Sequence, residues 1–199
     1  MARPMALNPQ YAPGATPLSP DELQALIPSF VTTQGALNEF EQANISEGAA
    51  WAYRSRRDIL TEKFVMDLHG HMFDATWRWA GKYRGSDKNI GCPYWEIPVR
   101  VVELLRNTQA QIDGKSMSPD EVAVRFHHRL VSIHPFPNGN GRHSRLMADL
   151  LIVRLGGRPF SWGGNVNLVS PSETRGAYLS ALRAADAQDI NPLLDFARS

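Results

Sequence analysis

Apolar residues recur at every third or fourth position along most of this chain, a spacing that lines one face of a helix and predicts a mainly helical fold. Ser19, Pro20, Asp21 and Glu22 supply a cap, a first-turn proline and two acids ahead of Leu23, Leu26 and Ile27, so a short helix starts there. Leu37, Phe40, Ile45, Ala49, Trp51 and Ala52 predict a long helix from Leu37 to about Arg57, with Gly48 a candidate point of interruption. Thr61 caps the next helix, whose stripe is Phe64, Val65, Leu68, Met72 and Phe73; His69 and His71 read as surface or boundary residues on it. From Trp77 to Pro98 the period breaks. Gly81, Gly85, Gly91 and Pro93 punctuate aromatic and polar residues, which predicts a hairpin, the only strand region expected.

Helical spacing returns from Pro98 to about Ile112 and again after Ser118-Pro119-Asp120-Glu121, through Val122, Val124, Phe126, Leu130, Val131 and Ile133. Leu146 to Leu155 is almost continuously apolar and predicts a buried helix ended by Gly156-Gly157. Ser170-Pro171-Ser172-Glu173 opens a helix through Leu182, and a short amphipathic tail lies near Leu193 to Phe196. There is no internal repeat.

A chain of 199 residues with 43% hydrophobic content can bury one substantial core. Pro4, Pro9, Pro13, Pro17 and Pro20 deny the first 20 residues a helix and predict an extended arm; residues 21–59 read as N-terminal helices, and residues 60–199 as the body. The arm has no continuous apolar stretch, so neither a signal peptide nor a membrane anchor is expected. Cys92 stands alone, which excludes an internal disulfide or a multi-cysteine zinc site and fits a cytoplasmic location. A formal net charge of +1 carries no nucleic-acid footprint, and Arg54, Arg56 and Arg57 read as a solvated helix face.

The chemistry concentrates in His134-Pro135-Phe136-Pro137-Asn138-Gly139-Asn140-Gly141-Arg142-His143-Ser144-Arg145, between one helix ending near Ile133 and another starting near Gly139. Glycines on either side of Asn140 let backbone amides approach a ligand, and the helix start adds unpaired donors and a positive dipole end. Arg142 and Arg145, three residues apart, can reach the same anion, which points to an oligophosphate. His134 on the opposite rim suits a base that takes a hydroxyl proton near neutral pH. Asn138 offers an amide oxygen to a hydrated magnesium ion, a poorer ligand than a carboxylate. Phe136 is expected to point into the core and fix the loop.

This run resembles the signature of the Fic (Fic/Doc) family, His-x-Phe-x-Asp/Glu-Gly/Ala-Asn-Gly-Arg-x-x-Arg, at every position but the acidic one, where Asn138 stands. Trp77 to Arg84 is similar to the family's Trp-Ala-Gly-x-x-Arg segment, and the wording around Asp87 to Gly91 and Pro137-Asn138 resembles its mobile mystery protein B subgroup. The resemblance covers roughly Leu60 to Leu155. It implies a mainly α fold with a small β-hairpin flap, and transfer of AMP from ATP to a Ser, Thr or Tyr hydroxyl of a target protein. His134 would be the base. Phe136, Asn138, Gly139, Asn140, Gly141, Arg142 and Arg145 would form the nucleotide site, with magnesium or manganese held weakly at Asn138. The flap from Asn89 to Ile97, Asn89, Ile90 and Gly91 foremost, would hold the target strand by backbone pairing. Glu47-Gly48 resembles the end of the family's inhibitory pattern, Ser/Thr-x-x-x-Glu-Gly/Asn, with Ala43 in place of the hydroxyl residue, which implies a Glu47–Arg145 pair.

Three other readings stay open at this level. The groove could serve a nucleotide- or peptide-binding adaptor without turnover, which Asn138 favours, or a phosphoryl transferase of the same fold. His127, His128, His134 and His143 could hold a metal, though adjacent His127 and His128 face different sides of a helix. The expected partner is a target protein, with a regulatory partner as an option and no membrane or nucleic acid; neither the target nor the oligomeric state is encoded in the loop.

Overall fold

The computed structural model describes residues 16–164, 168 and 171–199. Its helices are α1 (Pro20–Leu23), α2 (Gln34–Arg54), α3 (Glu62–Phe73), α4 (Ile97–Gly114), α5 (Pro119–Ile133), α6 (Asn140–Arg154), α7 (Glu173–Asp186) and α8 (Asn191–Arg198). Pro4, Pro9, Pro13 and the expected cap residue Ser170 lie outside the described residues.

Local chemistry sets most of these boundaries. Ser19, Thr33, Thr61, Ser118 and Ser172 each accept a hydrogen bond from the amide three residues on, and Glu22 closes a capping box back onto Ser19. Each such cap is worth about 1 kcal/mol. Gly156, at φ 86°, follows α6 as the terminator expected. Phe64, Phe73, Trp77, Phe126, Phe136, Met147 and Leu151 are wholly buried in a core shared by α2 through α8. Within it α2 lies along α3, α5 along α4 and α6, and α7 along α8.

Two expectations fail here for clear reasons. Helix α2 runs through Gly48 without a break, because a β-carbon at that position would sit 2.8 Å from the His71 and Met72 backbone. The glycine is a close helix crossing, not an interruption. The segment from Trp77 to Pro98 forms no strand ladder among the described residues; the one β-bridge in this part of the chain joins Leu26 to Trp77. Gly81 and Gly91 turn the chain at φ 74° and 106°, and the buried guanidinium of Arg84 takes the carbonyls of Ser86 and Cys92 that a ladder would otherwise use. Tyr94–Glu96 is one turn of 3₁₀ helix leading into α4, so the flap's second half is helical.

Candidate active site

His134 ends α5 in the left-handed conformation, φ 56°, which turns the chain sharply into the loop and sets the imidazole at its rim. Arg84 fixes this corner. Its Nε donates to the His134 carbonyl at 2.7 Å, and its own amide donates to the Pro135 carbonyl at 2.9 Å. The His134 ring is 6% exposed, and burial, reinforced by the Arg84 charge, pushes its pKa down to about 4. The imidazole is therefore neutral at physiological pH, as a proton acceptor must be.

The loop is clamped by its own members. Asn140 is 3% exposed, accepts from the Phe136 amide at 2.9 Å and donates to the Phe136 carbonyl at 2.8 Å. Asn138 accepts from the Gly139 amide at 2.6 Å. Gly139, at φ 78°, lies where a β-carbon would fall 2.5 Å from the Phe73 ring, so only glycine fits. Phe136 is fully buried and stacks on His69 at 3.7 Å between centroids. It fixes the loop, as expected for its side chain, but it does not line the cavity as part of a nucleotide site. The side chain of Asn140 likewise closes the loop.

Helix α6 starts at Asn140 and points its N-terminus at the cavity, where helix geometry leaves the first amides without intrahelical partners. Arg142 and Arg145 line that cavity together with Gly139, Gly141, His134 and Asn138. The opposite wall, which no sequence motif marks, is Arg175, Tyr178, Leu179 and Leu182 of α7. Arg145 sits 5.3 Å over the Tyr178 ring. Ile90 of the flap reaches the rim, Gly91 packs on His134, and Asn89 is exposed.

The expected pairing of Glu47 with Arg145 is absent. The buried stripe of α2 is Leu37, Glu41, Asn44, Gly48 and Ala52, and Glu47 stands about 100° round the helix from Gly48, in solvent. Glu41 makes the contact from this helix instead: its carboxylate meets Arg142 at 2.6 Å and accepts from the Trp77 indole at 2.7 Å. His69 is not a surface or boundary residue. It is fully buried, bridging the Asn138 carbonyl at 3.1 Å and the Gly81 amide at 3.0 Å, and burial holds its pKa well below the ordinary value. Its position four residues from both Val65 and Phe73 was the available signal.

The histidines do not gather into a metal site. His127 pairs with the Tyr178 hydroxyl, His128 with Asp186 and His143 with the Val65 carbonyl. Among the described residues no group of three or more His, Cys, Asp or Glu side chains is placed to hold a metal ion. Asn138 brings no charge, and one lone pair of its oxygen is engaged by the Gly139 amide, so it is a poorer ligand for a divalent ion than a carboxylate.

One contact has no counterpart in the sequence pattern. Thr16 is 6% exposed, and its hydroxyl lies 3.0 Å from His134 Nε2, while its carbonyl accepts from the Asn138 side-chain Nδ2 at 3.2 Å.

Residues 59–152 match the model of the Fic/DOC family. The chain is 32% identical over 120 residues to the protein adenylyltransferase fic-1 of Caenorhabditis briggsae, a match that takes 59% of this chain and 22% of that protein. It thus spans about a fifth of the length of this relative. It resembles in fold the N-terminal Fic domain of a Bartonella quintana effector, at TM-score 0.66 and 18% identity over 85% of this chain and 84% of that one. The BepC protein of Bartonella tribocorum, solved with bound AMPPNP, gives TM-score 0.63 and 17% identity over 84% and 87% of the two chains.

Proposed function

The chain belongs to the Fic/DOC family, and on that premise we propose that it is a protein adenylyltransferase, moving AMP from ATP onto a hydroxyl of a target protein. The observation that carries the reading is a neutral, buried His134 in hydrogen-bonding reach of a hydroxyl, at the rim of a cavity lined by Gly139, Gly141, Arg142 and Arg145. In the reaction His134 Nε2 takes the proton of the acceptor hydroxyl, whose oxygen bonds to the α-phosphorus; the bond from that phosphorus to the bridging oxygen breaks, and pyrophosphate leaves with the electron pair. Backbone amides at the start of α6 and the two guanidinium groups receive the negative charge that builds up. Leu179, Leu182 and Tyr178 give the cavity an apolar side suited to a nucleobase. The flap residues Asn89, Ile90 and Gly91 lie where an acceptor peptide would pass. A lone cysteine suits a reducing compartment, and no helix among the described residues is long and apolar enough to cross a membrane.

A second reading, an adaptor that binds nucleotide without turnover, is favoured by Asn138 and by Glu41 holding Arg142. One experiment separates the two. In lysate supplied with α-labelled ATP and magnesium or manganese, adenylyl transfer labels a protein with wild type and not with His134→Ala, and Asn138→Asp increases the label. Label from γ-labelled ATP alone would mean phosphoryl transfer; nucleotide binding with no His134-dependent label would leave the adaptor.

A further inference from the structure

The structure already places a hydroxyl on the base. We infer that Thr16 is itself an acceptor, so that the chain adenylylates its own N-terminal arm; the inference rests on the activity proposed above and names one substrate of it.

The geometry around Thr16 is that of a held reactant. Its Oγ1 is 3.0 Å from His134 Nε2 although 118 residues separate the two in sequence. Within ordinary hydrogen-bond distance, a proton on Nδ1 leaves the Nε2 lone pair to accept from the threonine hydroxyl. The peptide on the arm side is fixed as well. The Thr16 carbonyl is bound by Asn138, and the next carbonyl, of Pro17, is bound by Lys88 of the flap at 3.3 Å. The Lys88 side chain, 6% exposed, also pairs with Glu22, whose carboxylate closes the capping box of α1. The arm is thus held between loop and flap by the side chains of Asn138 and Lys88, which donate to two consecutive main-chain carbonyls.

Thr16 also lines the same cavity as Gly141, Arg142 and Arg145, so a nucleotide gripped there has its phosphates next to the hydroxyl. Effective concentration then favours this acceptor over any free protein. The balance of the step is simple. The Oγ1–H proton goes to His134, the Oγ1–Pα bond forms, the bond from Pα to the bridging oxygen breaks, and pyrophosphate departs, leaving an AMP ester on Thr16. The product carries a charged nucleotide where a buried side chain stood, so the modified arm leaves the site and opens it to other acceptors.

The test uses the purified full chain with ATP and magnesium or manganese, followed by intact mass and peptide mapping, with a lysate reaction in parallel. The expected result is one added AMP on the peptide containing Thr16, absent in Thr16→Val and in His134→Ala, retained in Thr16→Ser, and formed at a rate constant independent of protein concentration. A rate constant that rises in proportion to protein concentration overturns the intramolecular acceptor. His134-dependent labelling of lysate proteins without modification of Thr16 overturns this inference and leaves the transferase standing. No His134-dependent label on any protein overturns both.

Discussion

The loop from His134 to Arg145 and the segment from Thr16 to Glu22 meet across one cavity, yet they are held there by opposite means. The loop is a local structure: Asn140 binds the Phe136 peptide four residues away, Asn138 binds its neighbour Gly139, and two helices grip its ends. The covering segment depends on long-range contacts, Thr16 to His134 and Asn138, and Lys88 to Pro17 and Glu22. A local clamp forms with the fold and is lost only with it. A cover tied by a few side chains can leave at modest cost, as a hydrogen bond contributes about 1 kcal/mol net.

The largest test of this contrast is acid. Burial lowers the pKa of His134 and His143 to about 4, and that of His127 to about 3, from an ordinary 6.5. Because the folded values are depressed, the unfolded chain takes up these protons first as pH falls. Stability is fully present above 6.5, declines between 6.5 and about 3, and levels off below the folded values. A shift from 6.5 to 4 corresponds to about 3 kcal/mol for one imidazole. Denaturant titrations from pH 7 to pH 4 should lose several kcal/mol. In Thr16→Gly, which uncovers His134, the loss should shrink while the His143 titration followed by NMR stays near 4. Equal curves for wild type and variant would show that the cover does not control the base.

Next in size is Gly139→Ala. A β-carbon 2.5 Å from the Phe73 ring, added to a backbone at φ 78°, combines overpacking with a disfavoured conformation. A loss of about 3 kcal/mol is expected, or roughly 10 °C in Tm for a chain of this size. Thr16→Val, on the covering side, should shift Tm by no more than about 2 °C. A Gly139→Ala protein that melts with wild type would mean that the loop has more room than its packing indicates.

The same division explains what could be read from the sequence. Periodicity and capping residues gave the helices, because each is decided within a few residues: Thr61 and Ser118 cap the helices expected of them. The loop residues around Asn140 are likewise consecutive. What escaped was decided between distant segments. The hairpin expected over residues 77–98 is replaced by turns because Arg84, buried beneath them, supplies the hydrogen bonds. Phe136 points into the core as expected, but no local pattern names the distant partner it stacks on there, His69. Thr16 lies in an arm whose prolines predict an extended chain but not its destination. Glu41 was legible in principle: Leu37, Glu41, Asn44, Gly48 and Ala52 recur at helical spacing, and a carboxylate on that buried stripe requires a cation.

That carboxylate supplies the finest test of how the nucleotide cavity is set. Glu41 holds Arg142 at 2.6 Å with a side chain only 8% exposed, so one of the two cavity arginines has its charge engaged from behind by α2. Glu41→Gln keeps an oxygen for the Trp77 indole, which donates to Glu41 at 2.7 Å, and removes the charge that competes with a phosphate for Arg142. A non-hydrolysable ATP analogue titrated calorimetrically should bind roughly threefold to tenfold tighter, about 1 kcal/mol, while Tm falls slightly through the lost ion pair. Glu47→Gln, altering an exposed residue on the same helix, should leave affinity unchanged. Weaker binding in Glu41→Gln would mean the reverse relation: the pair aims Arg142 at the phosphates, and α2 belongs with the loop as part of the rigid wall.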